Sequence, residues 1–174
     1  LRGADDSGRG VLSLVPGKLF EVKQPIPLKE MRSRKVIFID LAKNFYERHA
    51  ISILSSVLES NGIASFYIKE KKFSDYLKKI KEINPDLLVY SCMSNNLHGY
   101  LEFDELVKKN IKVKSIIGGP GATFDWKIIN EGTIDALCVG EGESAIIGHI
   151  RNGFLGNKNI ICKGQNYPTE FFPL

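Results

Sequence analysis

Four short stretches of the chain carry residues whose types could do chemistry. Ser91-Cys92-Met93-Ser94-Asn95-Asn96 offers two hydroxyls and two side-chain amides. Gly118-Gly119-Pro120-Gly121 and Gly140-Glu141-Gly142-Glu143 are glycine-rich, which lets a backbone come close to a ligand. Asp40-Leu41-Ala42-Lys43-Asn44 opens with a carboxylate. Each stretch directly follows a short apolar run. One glycine loop of this kind needs no reading beyond a tight turn. Two of them beside a hydroxyl loop describe a place to hold a small nucleotide-like cofactor.

What these stretches lack narrows the chemistry. No Gly-x-Ser-x-Gly elbow and no GxxxxGK[ST] phosphate loop occur. His49, His98 and His149 fall in or at the start of helical patterns and read as structural or solvated. Asp40 ends a strand as a phospho-accepting aspartate would, but no acidic pair precedes it and no basic residue ends the fifth strand. Gly140 to Ala145 fits G-x-G-x-x-A, yet in the last strand–helix unit rather than the first, and Glu141 and Glu143 would repel a pyrophosphate. Cys92, Cys138 and Cys162 form no CxxC pair, so neither a zinc site nor a redox dithiol is signalled. No catalytic residue and no metal ligand is assigned to this chain.

The elements that must position those loops follow from periodicity. Apolar runs at 36–39, 63–68, 87–90, 113–117 and 136–139 have strand length and do not alternate. Between and after them, 49–61, 74–83, 97–110, 124–131 and 144–152 show helical spacing, with Asn61-Gly62 and Asn84-Pro85 as stops. Strands apolar on both faces belong to a parallel sheet covered by helices on each side. The expected fold is therefore α/β: a three-layer Rossmann-like, flavodoxin-like domain with a five-stranded parallel sheet of order 2-1-3-4-5. In such a sheet the loops above all gather at the carboxyl edge, with the switch point between strands one and three.

The 174 residues suit one domain, and 43% hydrophobic with 25% charged residues is a globular composition. No run of eighteen apolar residues and no secretory signal is present, so a cytoplasmic location and no membrane partner are expected. The net charge is +4, and the lysines between Lys69 and Glu82 read as the solvated face of a helix rather than a nucleic-acid surface. The expected organisation is an N-terminal extension over 1–34, the α/β domain over 35–153 and a linker over 154–174.

Taken together, Gly118-Gly119-Pro120-Gly121-Ala122-Thr123, the stretch Asp135 to Glu143 and the stretch Asn84 to Ser91 resemble the N-terminal cobalamin-binding domain of cobalamin-dependent radical S-adenosylmethionine enzymes. The first is close to that family's Gly-Gly-x-His-Ala-Thr and the second to its Asp-x-x-x-x-Gly-Glu-Gly-Glu. The resemblance covers about 35–150. With the strand-end geometry it implies cofactor contacts at Asp40, Leu41, Ala42, Ser91, Cys92, Met93, Ser94, Gly118, Gly119, Pro120, Gly140, Glu141 and Gly142. Many free-standing domains of this type end the first strand with Asp-x-His-x-x-Gly, whose histidine ligates cobalt. Here Asp40 matches the aspartate, but Ala42 and Phe45 stand at the histidine and glycine positions. A base-off cobalamin without a protein histidine ligand is the form implied.

The three cysteines cannot supply a Cys-x3-Cys-x2-Cys cluster motif. S-adenosylmethionine and the 4Fe-4S cluster are therefore expected only in a radical core elsewhere in a longer chain. That core would be this domain's partner and would act on a small-molecule or natural-product substrate by methyl transfer or carbon-skeleton chemistry. A scaffold that has lost the cofactor, and a nicotinamide- or flavin-binding module using Gly140 to Ala145, remain the alternatives.

Overall fold

The computed structural model describes residues 12–15, 18–21, 25–41 and 47–164. Leu12–Val15 (β1) and Lys18–Glu21 (β2) pair as an antiparallel hairpin. A five-residue helix, Leu28–Arg32 (α1), precedes the sheet. Then follow Lys35–Ile39 (β3), Glu47–Ser60 (α2), Ala64–Ile68 (β4), Phe73–Ile83 (α3), Leu87–Ser91 (β5), Leu97–Lys108 (α4) and Lys114–Gly118 (β6). Pro120–Phe124 (α5), a 3-10 turn over Trp126–Asn130, Ala136–Cys138 (β7), Glu143–Arg151 (α6) and Ile160–Cys162 (β8) complete the order.

The sheet runs β4-β3-β5-β6-β7-β8. Its first five strands are parallel and take the expected 2-1-3-4-5 order, so the α/β reading of the apolar runs holds. Each run is apolar throughout because alternate residues enter two different cores. Ile37, Ile39, Leu88, Tyr90, Ile117 and Leu137 pack on one face under α3, α4 and the 3-10 turn. Val36, Phe38, Leu87, Val89, Ile116 and Ala136 pack on the other under α1, α2 and α6.

Two helix stops behave as their residue types require. Asn84 takes a left-handed conformation at φ 51° and returns its N–H to the Ile80 carbonyl, and Gly62 does the same work after α2 at φ 75°. Of the lysines between 69 and 82, Lys71, Lys72, Lys78 and Lys81 are exposed on or beside α3, whose buried residues are Tyr76 and Ile80.

Three features differ from the sequence reading. A sixth strand, β8, pairs antiparallel with β7, so residues at 160–162 lie in the sheet rather than in a linker. Met31 of α1 is buried in the core at 2% exposure, which brings part of the 1–34 segment into the domain. The helix expected over 124–131 is two pieces that begin earlier, with Pro120 at the first helical position, where its missing N–H costs nothing. The hairpin of β1 and β2 had no counterpart in the sequence reading.

His149 on α6 is 2% exposed, with Nδ1 2.8 Å from the Leu155 carbonyl and its ring edge-on to Phe154. Burial holds its pKa below the ordinary imidazole value, against the Leu155 carbonyl and Asp135, while Lys114 adds to the lowering. The unfolded chain therefore binds this proton first, below about pH 6.5, and stability there rises with pH. Lowering the pH from 7.5 to 5.5 should reduce the urea midpoint, with a ceiling of about 1.4 kcal/mol per pH unit for one proton. His149→Gln should flatten that slope, and an unchanged slope in the variant would assign the dependence to another group.

Candidate functional site

The carboxyl ends of β5, β6 and β7 carry the open part of the molecule. Strand register sets Ser91 opposite Gly118, and a Cβ on Gly118 would lie 3.3 Å from the Cys138 Cβ. Ser91, Gly118 and Cys138 thus form a row on the sheet face that α2 and α6 cover. Ala50 and Leu54 of α2 and Ile146 of α6 stand over that row, and Val89, Ile116 and Ile160 deepen it. Gly119 and the loop from Gly140 to Glu143 form the rim. The cavity is about 130 Å³ and open at this rim.

Glycine keeps this space open. A Cβ on Gly142 would sit 3.2 Å from Leu54 Cδ2, and one on Gly121 would sit 2.7 Å from the Met93 carbonyl carbon. Gly119, at φ 93°, has no room at all: its Cβ would lie 2.6 Å from the Cys92 carbonyl oxygen. The loops are stacked by main-chain bonds, Cys92 N–H to Gly118 O and Gly121 N–H to Cys92 O, both at 3.0 Å. Thr123 joins the first glycine loop to the second, its Oγ1 accepting from the Gly140 N–H at 3.3 Å.

Burial pushes the Cys138 thiol up to about 12, and Glu143 and Glu141 add to the rise. At neutral pH this thiol is protonated, so the pocket floor holds neither a nucleophile nor a thiolate ligand. The same two carboxylates give the mouth a negative field.

The residues singled out in the sequence divide by position. Ser91, Gly118, Gly119, Gly140, Glu141 and Gly142 line the pocket. Cys92 is buried on the opposite sheet face, and its backbone supports the glycine loop. Met93, Ser94 and Pro120 are exposed outside the cavity. Asp40 is fully buried, and its carboxylate is bonded by the Tyr67 hydroxyl at 2.5 Å and paired with Lys69 at 2.9 Å. Leu41, half-buried, donates its N–H to the Tyr100 hydroxyl at 3.2 Å. Ala42 lies outside the described residues.

The pocket therefore sits under β5, β6 and β7, one strand along from the switch point between β3 and β5. Ala50, Leu54, Ile146 and Ile160 had no sequence signal of their own, being ordinary core-type residues of helices and a short strand. Val89, Ile116 and Cys138 could have been found two residues before the loops, since side chains two apart share a face.

A larger open hollow of about 710 Å³ lies at the other end of the strands, lined by Arg34, Asp86, Lys108, Lys114 and Asp135. Most of its charges are paired with one another, while Arg34 Nε is buried without a hydrogen-bond partner. Arg34 pairs with Asp86 at 2.7 Å, and Lys108 and Lys114 with Asp135 at 2.6 and 2.8 Å. Among the described residues no helix is long and apolar enough to cross a membrane.

The carboxyl edge of the parallel sheet thus carries a small apolar slot beneath glycine loops. The model of the B12 binding domain matches residues 36–148. No curated protein matches the chain. That match spans the whole run from β3 into α6, including every residue of the pocket except Ile160, and the chain belongs to the B12 binding domain family.

Proposed function

We propose that the domain binds cobalamin with the nucleotide tail inserted between the sheet and helices α2 and α6, in a base-off form without a histidine from this chain on cobalt. The observation that carries the reading is the cavity of about 130 Å³ at the ends of β5 to β7. It is smaller than the roughly 300–1,000 Å³ of pockets that engulf a drug-sized ligand, so it suits one end of a larger molecule. A Cβ on Gly118 or Gly142 would meet the Cys138 and Leu54 side chains that line the slot, so the lack of one fits a group lying directly on backbone. Ser91 offers a hydroxyl inside the slot, while Leu41, Met93 and Ser94 lie at the edge the corrin ring would cover.

The positions of the histidines support the absence of a histidine ligand from this chain. His49 and His98 are exposed on α2 and α4, His149 is buried in α6, and none lines the pocket. Bound cobalamin supplies a cobalt centre suited to methyl transfer or carbon-skeleton chemistry. This chain's residues would hold the tail, exclude water from it and fix the ring's height above the sheet. The larger assignment, to a radical S-adenosylmethionine enzyme whose core carries the iron–sulfur cluster and meets a small-molecule substrate, rests on the resemblance of 118–123 and 135–143. A dinucleotide in the same slot is disfavoured by Glu141 and Glu143, which would face its pyrophosphate.

The test is a visible-absorption titration of the purified chain with hydroxocobalamin and cob(II)alamin, followed by gel filtration. One corrinoid per chain, co-eluting with a base-off spectrum, is the expected result. A bound base-on spectrum would place the tail outside the slot, and separate elution of protein and cobalamin would count against the reading.

A further inference from the structure

We infer that the slot selects among corrinoids by their lower base, accepting a benzimidazole or phenol ring and discriminating against a purine. The inference rests on the cobalamin reading above and concerns what the deep end of the slot can recognise. Its walls are hydrocarbon: Leu54, Val89, Ile116, Ile146 and Ile160. The Cys138 thiol on the floor, protonated and bonded to the Glu141 carbonyl at 3.9 Å, is a weak polar group at most.

Four polar backbone groups around the slot are already engaged, and the uncapped N–H groups of the first turn of α6 lie at its rim rather than among its hydrocarbon walls. The Gly118 carbonyl accepts from the Cys92 N–H at 3.0 Å, and the Gly142 carbonyl from the Ile146 N–H at 2.9 Å. The Gly140 N–H is given to Thr123 Oγ1 at 3.3 Å. The Gly119 carbonyl takes the Thr123 N–H at 3.0 Å. Among the side chains along those walls, the hydroxyl left for a ligand is that of Ser91, 7% exposed and without a hydrogen-bond partner among the described residues.

One hydroxyl in a hydrocarbon slot has a definite selectivity. A dimethylbenzimidazole or a cresol ring carries few polar atoms, and its methyl groups gain from burial. Adenine brings an exocyclic amine and three further ring nitrogens. A single hydroxyl cannot satisfy them, and each buried polar group left unpaired loses affinity. Glu141, exposed, and Glu143, half-buried, stand at the mouth and not among the hydrocarbon walls where the amine would need an acceptor.

Equilibrium dialysis of the purified chain tests this with three corrinoids, bearing dimethylbenzimidazole, p-cresol or adenine as lower base, and with tail-less cobinamide. All are used as dicyano forms, so that every lower base is already off cobalt and its basicity drops out. The expected result is that the first two bind within about threefold of one another. The adenine form and cobinamide should each bind at least about tenfold more weakly. Adenine binding as tight as dimethylbenzimidazole would overturn the selectivity while leaving the cobalamin reading intact. Cobinamide as tight as cobalamin would overturn it by showing that the tail is not in the slot. Binding of none of the four would overturn both.

Leu54→Gln places an amide on the wall. It should narrow the gap between the adenine and dimethylbenzimidazole forms several-fold, with far-ultraviolet circular dichroism confirming the fold. A gap unchanged in a folded L54Q chain would also count against the inference.

Discussion

Gly119→Ala should lower the unfolding free energy by about 3 kcal/mol, and Gly99→Ala should raise it by up to about 0.5–1 kcal/mol. The two glycines differ in everything but side chain. Gly119 sits at φ 93°, outside the range that residues with a Cβ adopt readily, and the added carbon would lie 2.6 Å from the Cys92 carbonyl oxygen and 3.0 Å from its nitrogen. Both contacts are backbone, in a strand end that is itself bonded to Gly118 and Gly121, so no rotamer change can relieve them. Strain of about 1–2 kcal/mol from the backbone angle adds to about 1–3 kcal/mol from overpacking. Gly99 lies in the first turn of α4 with nothing within 4 Å of the built Cβ, so there alanine only removes chain entropy from the unfolded state. Urea titrations of both variants decide the matter. A loss of under about 1 kcal/mol for G119A would mean that the stacked loops shift freely, and the rim would then be adaptable rather than preformed.

How much of this was legible in the sequence depends on how far the deciding contacts lie apart along the chain. The five parallel strands were legible because a run such as Val36 to Ile39 must serve two cores at once, and continuous apolarity is the local mark of that. β8 was not, since Ile160-Ile161-Cys162 is three residues between Asn159 and Lys163, and its place beside β7 is set by pairing far along the chain. At the site, the rim could be read because glycine at a strand end is a local signal. The walls could not, because Leu54 and Ile146 look like any inward residue of an amphipathic helix. Asp40 shows the same limit from the other side. Pairing of Ile39 with Ile68 brings the next residues, Asp40 and Lys69, together, and their ion pair, with the Tyr67 hydroxyl, engages a carboxylate that the sequence alone left free for a ligand.

The other large effect is expected at Asp104→Ala, which should cost about 3–4 kcal/mol. Asp104 is wholly buried on α4, where it accepts from the Tyr90 hydroxyl at 2.8 Å and the Thr133 hydroxyl at 2.5 Å and pairs with Lys108 at 3.2 Å. Removing it strands two hydroxyls and leaves Lys108 to Asp135, Ser115 and the Thr133 carbonyl. Asp104→Asn keeps one acceptor and should cost about half as much, and Tyr90→Phe about 1 kcal/mol. A double-mutant cycle on Tyr90→Phe and Asp104→Asn should return about 1 kcal/mol or more of coupling.

Burial works to raise the Asp135 carboxyl, but hydrogen bonds from Lys108, Lys114 and the Ser115 N–H outweigh it and hold the carboxyl below its ordinary value. Its stabilisation is therefore present above the ordinary carboxylate range and lost only as pH falls through that depressed value, well below the range where His149 acts. The two contributions can be separated by pH. Tyr90 immediately precedes Ser91, so this network anchors the strand whose end enters the slot. A D104A chain that loses less than about 1 kcal/mol would show that β5 is held by its neighbours in the sheet and not from α4.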